Sequence, residues 1–185
     1  MYNTLVDSFY NTECFKKELE NALKQNFPVD FKPTKKYDTL LYIAFSFCHN
    51  LQIAKELLKA GADIHSRNRY GENALMIALQ TKPDTELMRM ILDQMSEDEI
   101  NTDAVMINDV PYDTDVMRIA LGNCLATENE EKHIDYLQCI KLLLDYGYDY
   151  QKILPLKEYA YNVISVIDVW NSWLYRRKKS KTNIN

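Results

Sequence analysis

Glycine and proline are scarce: the 185 residues include four of the first and five of the second. A fold of many short strands needs turn residues at close intervals, so the shortage argues against a many-turned β architecture and favours helices. No apolar run is long enough to span a bilayer, and the N-terminal stretch has neither the apolar nor the Arg-rich character that directs export. A soluble, intracellular, cytoplasmic chain is the expectation, with nuclear entry or delivery into a host cell as alternatives. CxxC pairs are missing as well. Cys14, Cys48, Cys124 and Cys139 stand in helical patterns, where they read as small core residues with free thiols. There is no HExxH and no glycine-rich phosphate loop, and Cys48 and His49, adjacent on a helix, point in different directions.

Positive charge is short in the body of the chain. The formal net charge is −5, yet Arg176, Arg177, Lys178, Lys179 and Lys181 crowd the C-terminus and leave −10 on the rest. So acidic a body is a poor general binder of nucleic acid. From Met90 to Met117 there are eight acids and no Lys or Arg. This run lacks the alternating spacing and the glycine of a calcium loop, so it reads as solvated negative surface or as a landing site for a basic partner. Cys124, His133 and Cys139 lack the fourth donor and the tight spacing of a zinc site. No metal, cofactor or small-molecule substrate is expected.

What is present is a repeat. Leu41-Tyr42-Ile43-Ala44, Leu75-Met76-Ile77-Ala78 and Met117-Arg118-Ile119-Ala120 are three copies of one pattern. Leu57-Leu58, Ile91-Leu92 and Leu143-Leu144 mark second helices between and after them. In residues 51–80, Ile53, Leu57 and Leu58 recur at helical spacing and stop at Gly61, where a helix ends in a positive-φ residue. A polar stretch over 62–73 leads to the next apolar helix.

This stretch resembles the ankyrin repeat. Glu56-Leu57-Leu58-Lys59-Ala60-Gly61-Ala62-Asp63-Ile64-His65 is similar to the family's LLxxGADxN, and Asn68 to Ala78 follows DxxGxTPLHxA at the matching distance. The resemblance implies an all-α ankyrin solenoid of helix-turn-helix units with finger loops. The expected division is a degenerate N-terminal capping repeat over 1–33, repeats over 34–67, 68–110 and 111–150, a C-terminal capping helix over 151–175 and a basic tail over 176–185. In the leading repeat Asn26 takes the place of Gly61. Inserts over 96–114 and 126–135 break the period, the first opening with a Ser96–Glu99 capping box, the second expected as a surface loop. In the closing segment Tyr159, Val163, Val166, Ile167, Trp170 and Leu174 form one apolar stripe; its Trp and basic residues also suit a membrane-surface anchor, but capping is preferred.

The family usually binds proteins with its finger tips and the concave face of its first helices, and is seldom catalytic. Carried over by position, this marks Lys35, Lys36 and Asp38 in the first finger. It marks Arg67, Arg69, Tyr70 and Glu72 in the second, with Gln80 and Thr81 beyond, and Asp109, Tyr112 and Thr114 in the third. The expectation is a non-catalytic, monomeric protein-binding module whose basic finger strip meets a partner of mixed or acidic surface. An immunity protein that neutralises a toxin is the alternative; an enzyme using the inserts, or a membrane-surface adaptor, ranks lower. The family's TPLH motif keeps its His in none of the copies, so repeats are expected to hold together mainly by apolar stacking.

Overall fold

The computed structural model describes residues 1–32, 39–46, 51–68, 70–102 and 115–152. Lys35, Lys36, Asp38, Arg69, Asp109, Tyr112 and Thr114, as well as the closing segment and the tail, lie outside the described residues. Within them the fold is all-α. The helices are α1 (Tyr2–Asp7), α2 (Thr12–Lys24), α3 (Leu40–Ser46), α4 (Leu51–Lys59), α5 (Ala74–Thr81), α6 (Thr85–Leu92), α7 (Glu97–Ile100), α8 (Val116–Ala126) and α9 (Glu130–Asp145), followed by one 3-10 turn at Tyr150–Lys152.

These helices form two stacked layers. First helices pack in the order α1 on α3, α3 on α5, α5 on α8; second helices pack as α2 on α4, α4 on α6, α6 on α9. Ala44, Ala78 and Ala120, one in each copy of the four-residue pattern, are buried in the first layer, where the absence of a long side chain lets neighbouring helices approach. Leu57 and Ile53 of α4 are fully enclosed, as are Leu41, Leu75 and Met117 of the first layer. The core is one continuous cluster from Tyr2 to Tyr148.

Local chemistry sets the helix boundaries. Buried Thr39, Asn73 and Asp115 stand just before α3, α5 and α8, at the family motif's Thr position. Asn73 Oδ1 accepts the Met76 amide at 2.9 Å and Asp115 Oδ1 the Arg118 amide at 2.9 Å; Thr39 Oγ1 takes the Tyr42 amide at 3.5 Å. Each satisfies an amide that has no partner inside the helix. Three second helices end in the same way. Asn26 (φ 56°), Gly61 (φ 87°) and Gly147 (φ 93°) are left-handed, and the next amide in each case returns to a helix carbonyl: Phe27 to Ala22, Ala62 to Leu57, Tyr148 to Leu143. Asn26 is thus the substitute stop expected of it.

Two departures from expectation concern the inserts and the polar links. Residues 126–135 are no surface loop. Helix α8 runs to Ala126, α9 starts at Glu130, and only residues 127–129 connect them, so the extra length went into the helices. Asn129 accepts the Lys132 amide as an N-cap, and Glu130 and Glu131 favour the positive end of α9. Cys124 and Cys139 are buried free thiols, whereas Cys14 is only half-buried.

The second departure is that polar ties join neighbouring pairs despite the missing motif His. The Asp63 amide donates to Asp30 Oδ1 (2.9 Å), linking the loops after α2 and α4. His65 Nδ1 lies 2.6 Å from Glu99 Oε1 in α7. Asn101 donates to the Gly147 carbonyl (3.0 Å) and accepts the Asp149 amide (2.7 Å). Tyr42, where the motif has His, donates its hydroxyl to the Ser66 carbonyl. Every successive pair is therefore bonded to the next along the loop edge.

Candidate partner-binding surface

The second finger shows how a chain with few glycines builds a firm loop. Asn68 Oδ1 accepts the amides of Tyr70 (2.8 Å) and Glu72 (3.0 Å), while its own amide and carbonyl bond to the Glu72 carbonyl and the Gly71 amide. Gly71 takes φ 76° to close the turn, a conformation costly for most other residues. Arg67 Nη1 donates to the Gly71 carbonyl at 2.5 Å. The Glu72 carboxylate then receives Asn68 Nδ2 (2.8 Å) on one oxygen and Gln80 Nε2 (2.6 Å) on the other. That last bond fastens the finger to the end of α5.

The structure therefore brings together four of the residues marked in the sequence: Arg67, Tyr70, Glu72 and Gln80. Their roles divide. Arg67 and Glu72 are partly buried and spend hydrogen bonds on the finger itself, while Tyr70 stands out at 45% exposure beside exposed Gln80. Thr81 differs: its hydroxyl donates back towards the Ile77 and Ala78 carbonyls (3.0 and 3.1 Å) and closes the end of α5.

A buried cation behind the finger layer was not anticipated. Lys55 of α4 reaches Asp84 Oδ2 at 2.9 Å and Glu86 Oε2 at 2.6 Å, with its side chain only 10% exposed. Asp84 also accepts the Leu87 amide at 2.9 Å as the N-cap of α6. Burial disfavours the Lys55 ammonium, but hydrogen bonds to Glu86 and Asp84 outweigh it and leave the pKa above the usual value. Burial likewise opposes ionised Asp84, yet the Leu87 amide and Lys55 hold its carboxyl below the usual range. Nothing in the local sequence signals this triad, because its members lie about 30 residues apart. Glu99 is held low chiefly by the Ser96 amide, with His65 adding to the effect.

His133 Nδ1 sits 3.0 Å from the Cys124 carbonyl and 3.6 Å from its sulfur. Burial pushes the Cys124 thiol up, and that of Cys139 to about 12, so neither supplies a thiolate near neutrality. Among the described residues no three His, Cys, Asp or Glu side chains are grouped to hold a metal, and no helix is long and apolar enough to cross a membrane.

Compared with protein-family models, residues 36–69 match the ankyrin repeat, a span that takes in α3, α4 and the start of the second finger. That span is similar to one ankyrin repeat. Neither a search of curated proteins nor one of solved structures gives a match. Ankyrin repeats are generally protein–protein interaction modules, and the family is typically non-catalytic. In this chain the layers and the left-handed stops recur from one helix pair to the next, and the ties between pairs use Asp30, Glu99 and Asn101.

Proposed function

We propose that this protein binds a partner protein, without catalysis, through its finger tips and the exposed ends of its first helices. The observation that carries the reading is the second finger. Five hydrogen bonds around Asn68, Arg67, Glu72 and Gln80 hold it while Tyr70 projects into solvent. A loop ordered before binding loses little entropy on association, and exposed Tyr with Arg nearby is the side-chain chemistry that anchors interfaces. In this reading the helix pairs are a leading cap over 1–33 and repeats over 34–67, 68–110 and 111–150. Lys35, Lys36, Arg67 and Arg69 make a basic strip facing a partner of acidic or mixed surface, and Asp38, Gln80, Asp109, Tyr112 and Thr114 flank it.

The acidic body favours a more specific version, an immunity or inhibitor protein that blocks a partner with a basic cleft, because opposite fields speed encounter. A tagged pull-down from the source cell, read by mass spectrometry, tests both versions. Tyr70→Ala and Arg69→Glu are the informative variants, since reversing Arg67 would also break its bond to Gly71. The expected result is one protein captured by the wild type and lost with Tyr70→Ala, at unchanged melting temperature. Equal capture by both variants removes the finger from the interface.

A further inference from the structure

The second finger is held from two sides by the first layer. On one side Gln80, at the end of α5, donates to Glu72. On the other, Tyr42 of α3 donates its hydroxyl to the Ser66 carbonyl, 24 residues further along the chain and just before Arg67 and Asn68 open the turn. Tyr42 is 1% exposed and its ring is enclosed in the core, so close packing keeps the hydroxyl in place. Met76, the equivalent residue in the next copy of the pattern, is a thioether with no hydrogen to donate. The hydroxyl at this position is therefore no general property of the repeated pattern.

We propose that Tyr42 is a positioning residue for partner binding, one that never meets the partner and fixes the angle at which Tyr70 is presented. This role rests on the binding by Tyr70 proposed above. The reason is mechanical. The bonds of Asn68 to the Tyr70 and Glu72 amides keep the shape of the finger but not its direction, because all three residues belong to the finger itself. The bond from Gln80 to Glu72 and the helix start at Asn73 both fasten the same limb of the turn, to α5, and leave the finger free to pivot about that limb. Ser66 lies on the other limb, and its fastening to α3 removes that freedom. His65, one residue earlier, also meets Glu99, but those side chains are 51% and 39% exposed and water competes for the pair. The enclosed phenol is the firmer of the two fastenings. A finger fixed in direction before association loses less entropy on binding.

The test is 15N relaxation on the full chain carrying Tyr42→Phe, which keeps the buried ring and removes the hydroxyl. In the unsubstituted chain the amides of Ser66, Asn68, Tyr70 and Glu72 should have the order parameters of rigid backbone, about 0.85. Tyr42→Phe should bring them towards about 0.6 while α4 and α5 keep their values. A side chain that merely adds stability would lower the melting temperature and leave these values alone. In the pull-down, the loosened finger should hold its captured protein roughly three- to tenfold more weakly, the worth of one hydrogen bond. Finger amides already mobile in the unsubstituted chain overturn the proposal, as do finger amides that Tyr42→Phe leaves rigid. A Tyr42→Phe chain that fails to fold, or whose helices loosen together with the finger, makes the hydroxyl a general support and equally overturns it. The relaxation readings need no partner, so they are separate from the binding role, which equal capture by Tyr70→Ala refutes by itself. Capture lost with Tyr70→Ala but unchanged by a loosened finger keeps the binding role and overturns the one given to Tyr42.

Discussion

Removing the Asp84 carboxylate should cost more than the loss of one surface charge, and the structure says why. Asp84 has two uses: Oδ1 caps α6 through the Leu87 amide, and Oδ2 lies 2.9 Å from Lys55. Loss of an N-cap costs about 0.5–2 kcal/mol. Stranding a buried charge altogether costs roughly 3–5 kcal/mol. Lys55 is not stranded altogether, because Glu86 remains at 2.6 Å, although that carboxylate is 70% exposed and screened by water. The two losses together give about 2–4 kcal/mol for Asp84→Ala. At roughly 2–4 °C per kcal/mol for a chain of this size, melting should fall by about 5–15 °C. Asp84→Asn keeps an oxygen for the cap and loses only the charge, so it should fall less. Urea denaturation followed by circular dichroism measures both. The pH dependence carries a sign of its own. With the folded carboxyl held below its usual pKa, the Asp84 contribution is full above the unfolded value and is lost as pH falls through the lower folded one. The wild type should therefore lose more stability on acidification below about pH 4 than Asp84→Asn does. An Asp84→Ala protein within 0.5 kcal/mol of wild type would refute this account of how α4 and α6 are joined.

Two further perturbations probe the core and the helix stops. Leu57→Ala, a truncation at a fully enclosed site, should cost about 2–5 kcal/mol, and unchanged denaturation would mean α4 is misplaced. Gly61→Ala and Gly147→Ala both force a side chain into left-handed backbone, at roughly 1–2 kcal/mol each. At Gly61 the space is open, whereas the new Cβ at Gly147 would lie 2.8 Å from Glu97 Cγ and Cδ. Gly147→Ala should therefore be the more destabilising, and Glu97→Ala in the same chain should recover the difference; melting temperatures of the three variants decide it.

Features carried by a few neighbouring residues were legible in the sequence. The Gly61 stop, its Asn26 substitute and the Ser96–Glu99 capping box each depend on backbone chemistry within four or five positions, and all three are present. The paired layers followed from the recurring Leu/Met-x-Ile-Ala pattern, because a helix with a small residue on its inner face needs a close neighbour. What escaped was long-range or compensatory. Tyr42 stands where the motif has His, and a phenol reaching the Ser66 carbonyl cannot be inferred from a lost imidazole. Lys55 carries no local signal of its burial, because the two carboxylates that hold it come from the start of α6. The stretch 126–135 read as a loop because it exceeded the repeat length. Its cap at Asn129 and the buried run Tyr136, Cys139, Ile140 and Leu143 show instead a helix that grew at its N-terminus. Of the finger, Tyr70 could be marked by position alone, but the use of Arg67 and Glu72 to brace the turn could not.

Helix α7 is four residues long, too short to persist by helical propensity alone. Its N-terminal amides are met by a capping box, Ser96 Oγ accepting the Glu99 amide and Glu99 the Ser96 amide, and Glu99 divides its two oxygens: one closes the box with Ser96, the other holds His65 from the preceding pair. One carboxylate thereby serves the folding of its own turn and the docking of its neighbour. The turn behaves as a latch set by the adjacent pair, so that loosening the loop after α4 loosens the one after α6 with it.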